Sequence, residues 1–203
     1  MKLVLATQNS DKIKEIRAAW IDLPIEIVTL ENDATIKMPE ETGETLRENA
    51  LLKAREVARQ TGGWALGDDT GLKVAALNGA PGVYSARYAG PQATYQENRR
   101  KLLEALQRTP ENQRGAYFSC WLALCHPDGR EVVVEGRVEG LILAEDRGDR
   151  GFGYDAIFYL PTLRKTLAEI SMEEKNQISH RGVALRKMGG VIKGLLKIEK
   201  NGV

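Results

Sequence analysis

The sequence predicts an α/β fold with a mixed β-sheet. Three observations carry this: a strand, loop and helix open the chain, a long hairpin lies in its second half, and helix-start signatures recur along it. Lys2 to Ala6 reads as a short buried strand, and from Asp11 the apolar residues Ile13, Ile16, Ala19 and Trp20 follow helical spacing. Pro24 ends that helix. Ile25 to Leu30 alternates as a second strand, before a polar segment running to Gly43.

Thr45 with Glu48 forms a capping box, and Leu46, Ala50, Ala54, Val57 and Ala58 line one helical face up to Gly62-Gly63. Trp64 to Gly67 and Leu72 to Leu77 read as two strands flanking a turn at Asp68-Asp69-Thr70-Gly71. A second capping box, Thr94 with Glu97, starts a helix carrying Leu102, Leu103 and Leu106 that Pro110 closes. Ala116 to Cys125 and Glu131 to Leu143 form the long hairpin through Pro127-Asp128-Gly129. After glycine-rich Gly148 to Asp155 comes a short apolar run, Ala156 to Leu160. Ser171 with Glu174 makes a third capping box, and a last helix follows Ser179.

The 203 residues are 42% apolar and 28% charged, a composition able to bury a core. A formal net charge of +1 gives no reason to expect a long nucleic acid or an anionic membrane as partner. The opening apolar stretch is too short for a signal peptide and no run approaches a membrane span, so a cytoplasmic protein is expected. Cys120 and Cys125 fall on opposite faces of one strand and read as buried thiols in a reducing compartment.

Thr7-Gln8-Asn9-Ser10-Asp11-Lys12 lies between the first strand and the first helix, where backbone N–H groups and the helix dipole favour an anion and Lys12 adds charge. An ordinary polar turn capped by Asn9 or Ser10 is the plainer reading. The loop lacks the glycines and the Lys-Ser/Thr pair of a Walker A motif. Asp68 and Asp69 are adjacent acids at a strand end, and their repulsion makes a bound cation a natural counter-charge, although a solvated turn reads equally well. Asp69-Thr70-Gly71 also spells an aspartic protease tripeptide, but that fold is all-β. Glu40-Glu41-Thr42-Gly43 offers a further carboxylate, and Mg²⁺ needs only one or two from protein. Phe152-Gly153-Tyr154-Asp155 could stack on a base or pack in the core. Lys175, Ser179, His180 and Arg181 supply donors around two helix starts, or merely caps and surface charge.

Taken in order, these segments resemble the inosine triphosphate pyrophosphatase family. The resemblance runs from Thr7-x-Asn9-x-x-Lys12 through Glu40-Glu41-Thr42-Gly43, Glu48-Asn49-Ala50, Lys53-Ala54 and Asp68-Asp69-Thr70-Gly71-Leu72. It continues through Gly79-Ala80-Pro81-Gly82, Tyr84-Ser85-Ala86-Arg87, Gly151-Phe152-Gly153-Tyr154-Asp155 and Glu174-Lys175 to Ser179-His180-Arg181. One departure is Ala156, where the family usually has proline.

The resemblance implies one domain over residues 1–203: an elongated mixed sheet flanked by helices, two lobes with a nucleotide cleft, and a homodimer. It implies Mg²⁺-dependent hydrolysis of inosine, deoxyinosine and xanthosine triphosphates to the monophosphate and pyrophosphate. Thr7, Gln8, Asn9, Ser10, Asp11 and Lys12 would hold the triphosphate, with Lys53 and Thr70 in the phosphate region. Asp69 would be general base and metal ligand, joined at the metal by Asp68 and by Glu40 or Glu41. Phe152, Gly153, Tyr154, Asp155, Lys175, His180 and Arg181 would surround the base. A nucleotide sensor without catalysis would have little use for the acidic cluster. An aspartyl-phosphate phosphatase would space its aspartates one residue apart.

Overall fold

The computed structural model describes residues 1–30 and 35–201, so 31–34 of the polar segment lie outside the described residues. Element order is β1 (Lys2–Ala6), α1 (Ser10–Ala19), β2 (Glu26–Thr29), α2 (Leu46–Thr61), β3 (Trp64–Val74) and α3 (Tyr95–Ala105). Then come β4 (Gly115–Cys125), β5 (Glu131–Ile142), β6 (Phe158–Leu160), β7 (Lys165–Thr166), α4 (Met172–Ile178) and α5 (His180–Asn201). The sheet order is β2-β1-β3-β4-β5-β6-β7. β1 pairs parallel to β2 and β3, whereas β6 pairs antiparallel to β5 and β7. The mixed sheet expected from the sequence is therefore present.

The helices start where their caps dictate. Asn9 accepts hydrogen bonds from the N–H groups of Asp11 and Lys12 at the head of α1. Thr45, Thr94 and Ser171 each form the reciprocal capping box with a glutamate three residues on. Gly62 ends α2 at φ 67°, a left-handed conformation that costs other residues strain.

One expectation fails. Asp68-Asp69-Thr70-Gly71 is no turn between two strands but the middle of β3, which runs unbroken from Trp64 to Val74. The composition that reads as a turn has other causes. A side chain on Gly67 would place its Cβ 2.1 Å from the Ala50 carbonyl oxygen, so glycine here lets α2 lie directly on the strand. The two aspartates stay in a buried strand because cations meet them, as described below. The short β7 was not foreseen.

The chain forms two compact units. The first comprises Met1–Asp69, Cys120–Gly136 and Arg181–Val203, and the second Thr70–Ser119 and Arg137–His180. The first has two apolar clusters: one joins Leu3, Leu5, Ile16 and Leu66 to Leu185, Met188 and Ile192, the other joins Val4 and Ala65 to Ala50, Ala54 and Val57. Adjacent strand residues divide between these clusters, as alternation requires. The second unit has one cluster, around Leu72, Leu102, Phe118, Phe158 and Leu167. Each such leucine or phenylalanine, fully buried, contributes about 1.5–3 kcal/mol. Both cysteines are buried free thiols.

Candidate functional site

In the first unit, β3 presents Asp68 and Asp69 to opposite faces, and each meets its own cations. Lys53 Nζ lies 2.6 Å from Asp69 Oδ1 and 2.9 Å from Glu41 Oε1. Two carboxylates thus converge on one positive point. Lys53 is buried although charged, and burial opposes its ammonium. Asp69 and Glu41 outweigh that penalty and hold its pKa above the ordinary lysine value. Burial lifts the Asp69 pKa, Lys53 and Lys12 oppose that lift, and Glu41 adds to it, leaving the carboxyl above its usual range.

On the other face, Asp68 accepts from Arg181 Nε at 2.8 Å and meets Lys12 Nζ at 2.6 Å. Lys12 Nζ also reaches the Asp68 carbonyl oxygen at 3.2 Å. Arg181 is 1% exposed and donates from Nη1 to Glu15 Oε2 at 2.6 Å. The Cys120 thiol lies 3.7 Å from Asp68 Oδ2. Burial works against an ionised Asp68, but the Arg181 guanidinium and Lys12 ammonium more than compensate and hold it well below the carboxylate range. Lys12, Glu15, Asp68 and Arg181 form an alternating charge network fed by α1, β3 and α5.

The opening loop is organised by its own side chains. Thr7 Oγ1 accepts from Asn9 N–H at 3.2 Å, and Thr7 is buried while Gln8 and Ser10 are exposed. Asn9 caps the N–H groups of Asp11 and Lys12, which leaves Lys12 as the loop's link to the acidic strand.

α2 positions the remaining carboxylate. Asn49 and Lys53, one turn apart and both buried, face the same way. The Asn49 carboxamide oxygen accepts from Gly43 N–H at 2.8 Å, which anchors the loop bearing Glu41. A Cβ on Gly43 would come within 2.7 Å of that oxygen. Glu40 is exposed, so the geometry brings Glu41 and not Glu40 to Asp69.

Among the described residues, no three acidic, histidine or cysteine side chains converge as a metal cage. Of the expected metal set Glu40, Glu41, Asp68 and Asp69, Lys53 brings Glu41 and Asp69 together, while Asp68 is paired with Arg181 and Lys12. The Glu41–Asp69 pair suits Mg²⁺, a hard cation content with one or two protein carboxylates, because both oxygens already approach a single cationic centre.

In the second unit, Asp155 Oδ2 accepts from Lys175 Nζ at 2.5 Å and from Phe152 N–H at 2.8 Å. Lys175 Nζ lies 4.8 Å from the Phe152 ring centroid. Tyr154, read as a possible stacking group, is buried, and its hydroxyl donates to the Ser85 carbonyl at 2.9 Å. Burial raises its pKa. His180 is buried against Phe118, ring centroids 4.5 Å apart and 15° from parallel. Gly153 adopts φ 63°, and Thr70, half-buried, continues β3 into this unit. The Ala156 carbonyl accepts from Arg147 N–H at 2.8 Å.

Arg181, expected beside the base, donates to Asp68 and Glu15 in the first unit. The sequence reading missed Glu15, whose signal is an acid set among the buried positions Ile13 and Ile16 of α1. It also missed the roles of Asn49 and Phe118, which nothing in a single sequence separates from ordinary helix and strand residues.

Comparisons with known proteins cover almost the whole chain. The Ham1 family profile matches residues 3–190. The chain is 47% identical over 192 residues to a dITP/XTP pyrophosphatase of a Thermoanaerobacter species, covering 95% of this chain and 96% of the relative. It is 49% identical to the dITP/XTP pyrophosphatase of Yersinia pseudotuberculosis, covering 92% and 95%. Its fold superposes on the structure of a HAM1 protein from Coxiella burnetii with a TM-score of 0.87, at 45% identity over 96% of this chain and 99% of that one. With a match over almost its full length and the acidic strand and lysines in their expected order, this chain belongs to the Ham1 family.

Proposed function

We infer that this chain is a nucleoside triphosphate pyrophosphatase that removes non-canonical purine nucleotides, inosine, deoxyinosine and xanthosine triphosphates, by hydrolysis to the monophosphate and pyrophosphate. The observation that carries this reading is the convergence of Glu41 and Asp69 on one cationic point, with Lys12 on the opposite face of the same strand. The names of the relatives support the substrate class.

The triphosphate is assigned to the first unit and the base to the second, the whole chain acting as one domain. Thr7 to Lys12 meets the phosphates, with Lys12 as the point charge and Lys53 and Thr70 nearby. Asp69 accepts a proton from the attacking water. The oxygen of that water then bonds to phosphorus as the bond to the pyrophosphate leaving group breaks. A carboxyl lifted above its usual range is a better proton acceptor than an ordinary aspartate. Lys53 holds Asp69 and Glu41 in register. The chemistry that Mg²⁺ supplies when bound to Glu41 and Asp69 is neutralisation of phosphate oxygens.

At the base, Phe152 stacks, while Lys175 and His180 present donors to the acceptor oxygens of hypoxanthine or xanthine. Adenine would turn an amine toward those donors, and so would guanine at its second position. Arg181 acts through Asp68. A cytoplasmic homodimer is the assembly this reading favours, and among the described residues no helix is long and apolar enough to cross a membrane. The test is a panel of inosine, deoxyinosine, xanthosine, adenosine and guanosine triphosphates with Mg²⁺, scoring pyrophosphate against phosphate. Pyrophosphate from the first three and little turnover of the last two is expected; release of single phosphates, or equal efficiency on all five, would overturn the reading.

A further inference from the structure

We propose that helix α3 is the outer clamp of the base-recognition loop, with Arg99 as its positioning residue. The proposal rests on the reading of Phe152 as the base-stacking side chain. Phe152 sits between Gly151 and Gly153, at φ 71° and 63°, so the loop has little stiffness of its own. Ordering such a segment only when the nucleotide arrives would cost binding free energy. Two sets of contacts order it beforehand.

From inside, the Asp155 carboxylate takes the Phe152 N–H and the Lys175 ammonium. From α3, Arg99 uses its whole fork. Its Nε lies 3.1 Å from both Asp146 oxygens, Nη2 donates to Asp146 Oδ2 at 2.8 Å, and Nη1 donates to the Gly153 carbonyl at 2.8 Å. One planar group therefore ties the two ends of the 146–153 segment together, a geometry open to arginine and closed to lysine. One turn earlier on the same helical face, Tyr95 lies 5.8 Å from the Phe152 ring centroid, tilted by 40°. The Arg99 side chain is 18% exposed and Asp146 47%, so neither is a core residue whose loss would unfold the unit.

A loop ordered in advance changes affinity for the base and leaves the chemical step alone. Arg99→Ala is expected to raise KM for inosine triphosphate about tenfold, with kcat within about twofold of the parent. Inorganic tripolyphosphate, which has no base, should inhibit parent and variant with the same constant. Arg99→Lys should remain impaired because it cannot serve Asp146 and Gly153 together, and Asp146→Ala, which spares the carbonyl contact, should lie between Arg99→Ala and the parent. In a Phe152→Ala background, Arg99→Ala should add no further rise. An unchanged KM in Arg99→Ala while Phe152→Ala raises it overturns the clamp alone. An unchanged KM in Phe152→Ala overturns the stacking reading and the clamp with it. Equal weakening of tripolyphosphate and nucleotide, or full rescue by lysine, would reduce Arg99 to a general structural residue and overturn the proposal.

Discussion

The two units hold charge in opposite ways. In the first, Lys12, Glu15, Lys53, Asp68, Asp69 and Arg181 gather around one strand from α1, α2 and α5, and several are almost completely buried. In the second, the buried ion pair of Asp155 with Lys175 stands among aromatic rings. Buried ions are tolerated only when their partners are close and well aimed, and the dense network, where the proposed reading puts the phosphates, meets that condition. The sparse pair among rings, where the proposed reading puts the base, suits a flat, mostly apolar ligand with a few polar edges. On the proposed reading, the difference matches the separate needs of a charged phosphate group and a flat base.

The sharpest way to break that comparison is Asp69→Asn. If the first unit performs the chemistry, this variant keeps its fold and most of its nucleotide affinity but loses turnover by roughly 10² to 10⁴, the usual range for a general base. Single-turnover kinetics measure it, and near-normal turnover would falsify the assignment of Asp69.

Arg181→Met separates stability from selectivity. It would strand Asp68 and Glu15 as buried charges without their guanidinium, at a cost of about 3–5 kcal/mol in urea unfolding. The ratio of kcat/KM between inosine and adenosine triphosphates should hold in whatever fraction folds. A changed ratio with unchanged stability would return Arg181 to the base.

These two variants also show where the sequence was legible. Lys12 was readable because a helix cap announces itself locally, and the capping boxes at Thr45, Thr94 and Ser171 located three helices by the same local chemistry, whereas Asp69 stood out as one of two adjacent acids although the strand does not end there. Arg181 was readable as important but not as to its partners, since Glu15 lies 166 residues away and only folding brings the two within 2.6 Å. The break expected at Asp68-Asp69 failed for a related reason. Two acids and a glycine favour a turn by composition, and the counter-charges that keep them in a strand are distant in sequence. Glu40 and Glu41 are equivalent on paper, and the Asn49 anchor on Gly43 distinguishes them.

A smaller effect sharpens the division between phosphate and base. Lys12→Met should weaken tripolyphosphate binding on the order of 10-fold to 100-fold, the worth of one or two charge-assisted hydrogen bonds, and leave inosine itself nearly unaffected. Lys175→Met should do the reverse. Competitive inhibition by the two fragments is the measurement, and equal losses for both fragments in either variant would erase the distinction between the units.

The smallest effect concerns a group in the first unit that no cation rescues well. Burial, with help from Glu131 and against a weaker pull from Arg55, pushes the Cys125 thiol up to about 12. Asp68, in the same unit, is held in the opposite direction by Arg181 and Lys12, so the unit accommodates charge only where counter-charges converge. A thiol whose folded pKa lies above its unfolded value near 8.5 binds its proton more tightly in the native state. Its contribution to stability is therefore complete below about pH 8.5 and is lost as pH rises toward 12, because only the unfolded chain releases the proton. Cys125→Ala removes that proton from the balance. Between about pH 9 and 11 its stability, measured by urea unfolding, should fall less steeply than the parent's, by up to about 1.4 kcal/mol per pH unit. The offset between the two proteins at pH 7 reflects lost packing and does not enter the slope. Parallel slopes would mean that Cys125 ionises as freely in the folded chain as in the unfolded one, and the first unit would then tolerate charge well beyond its network.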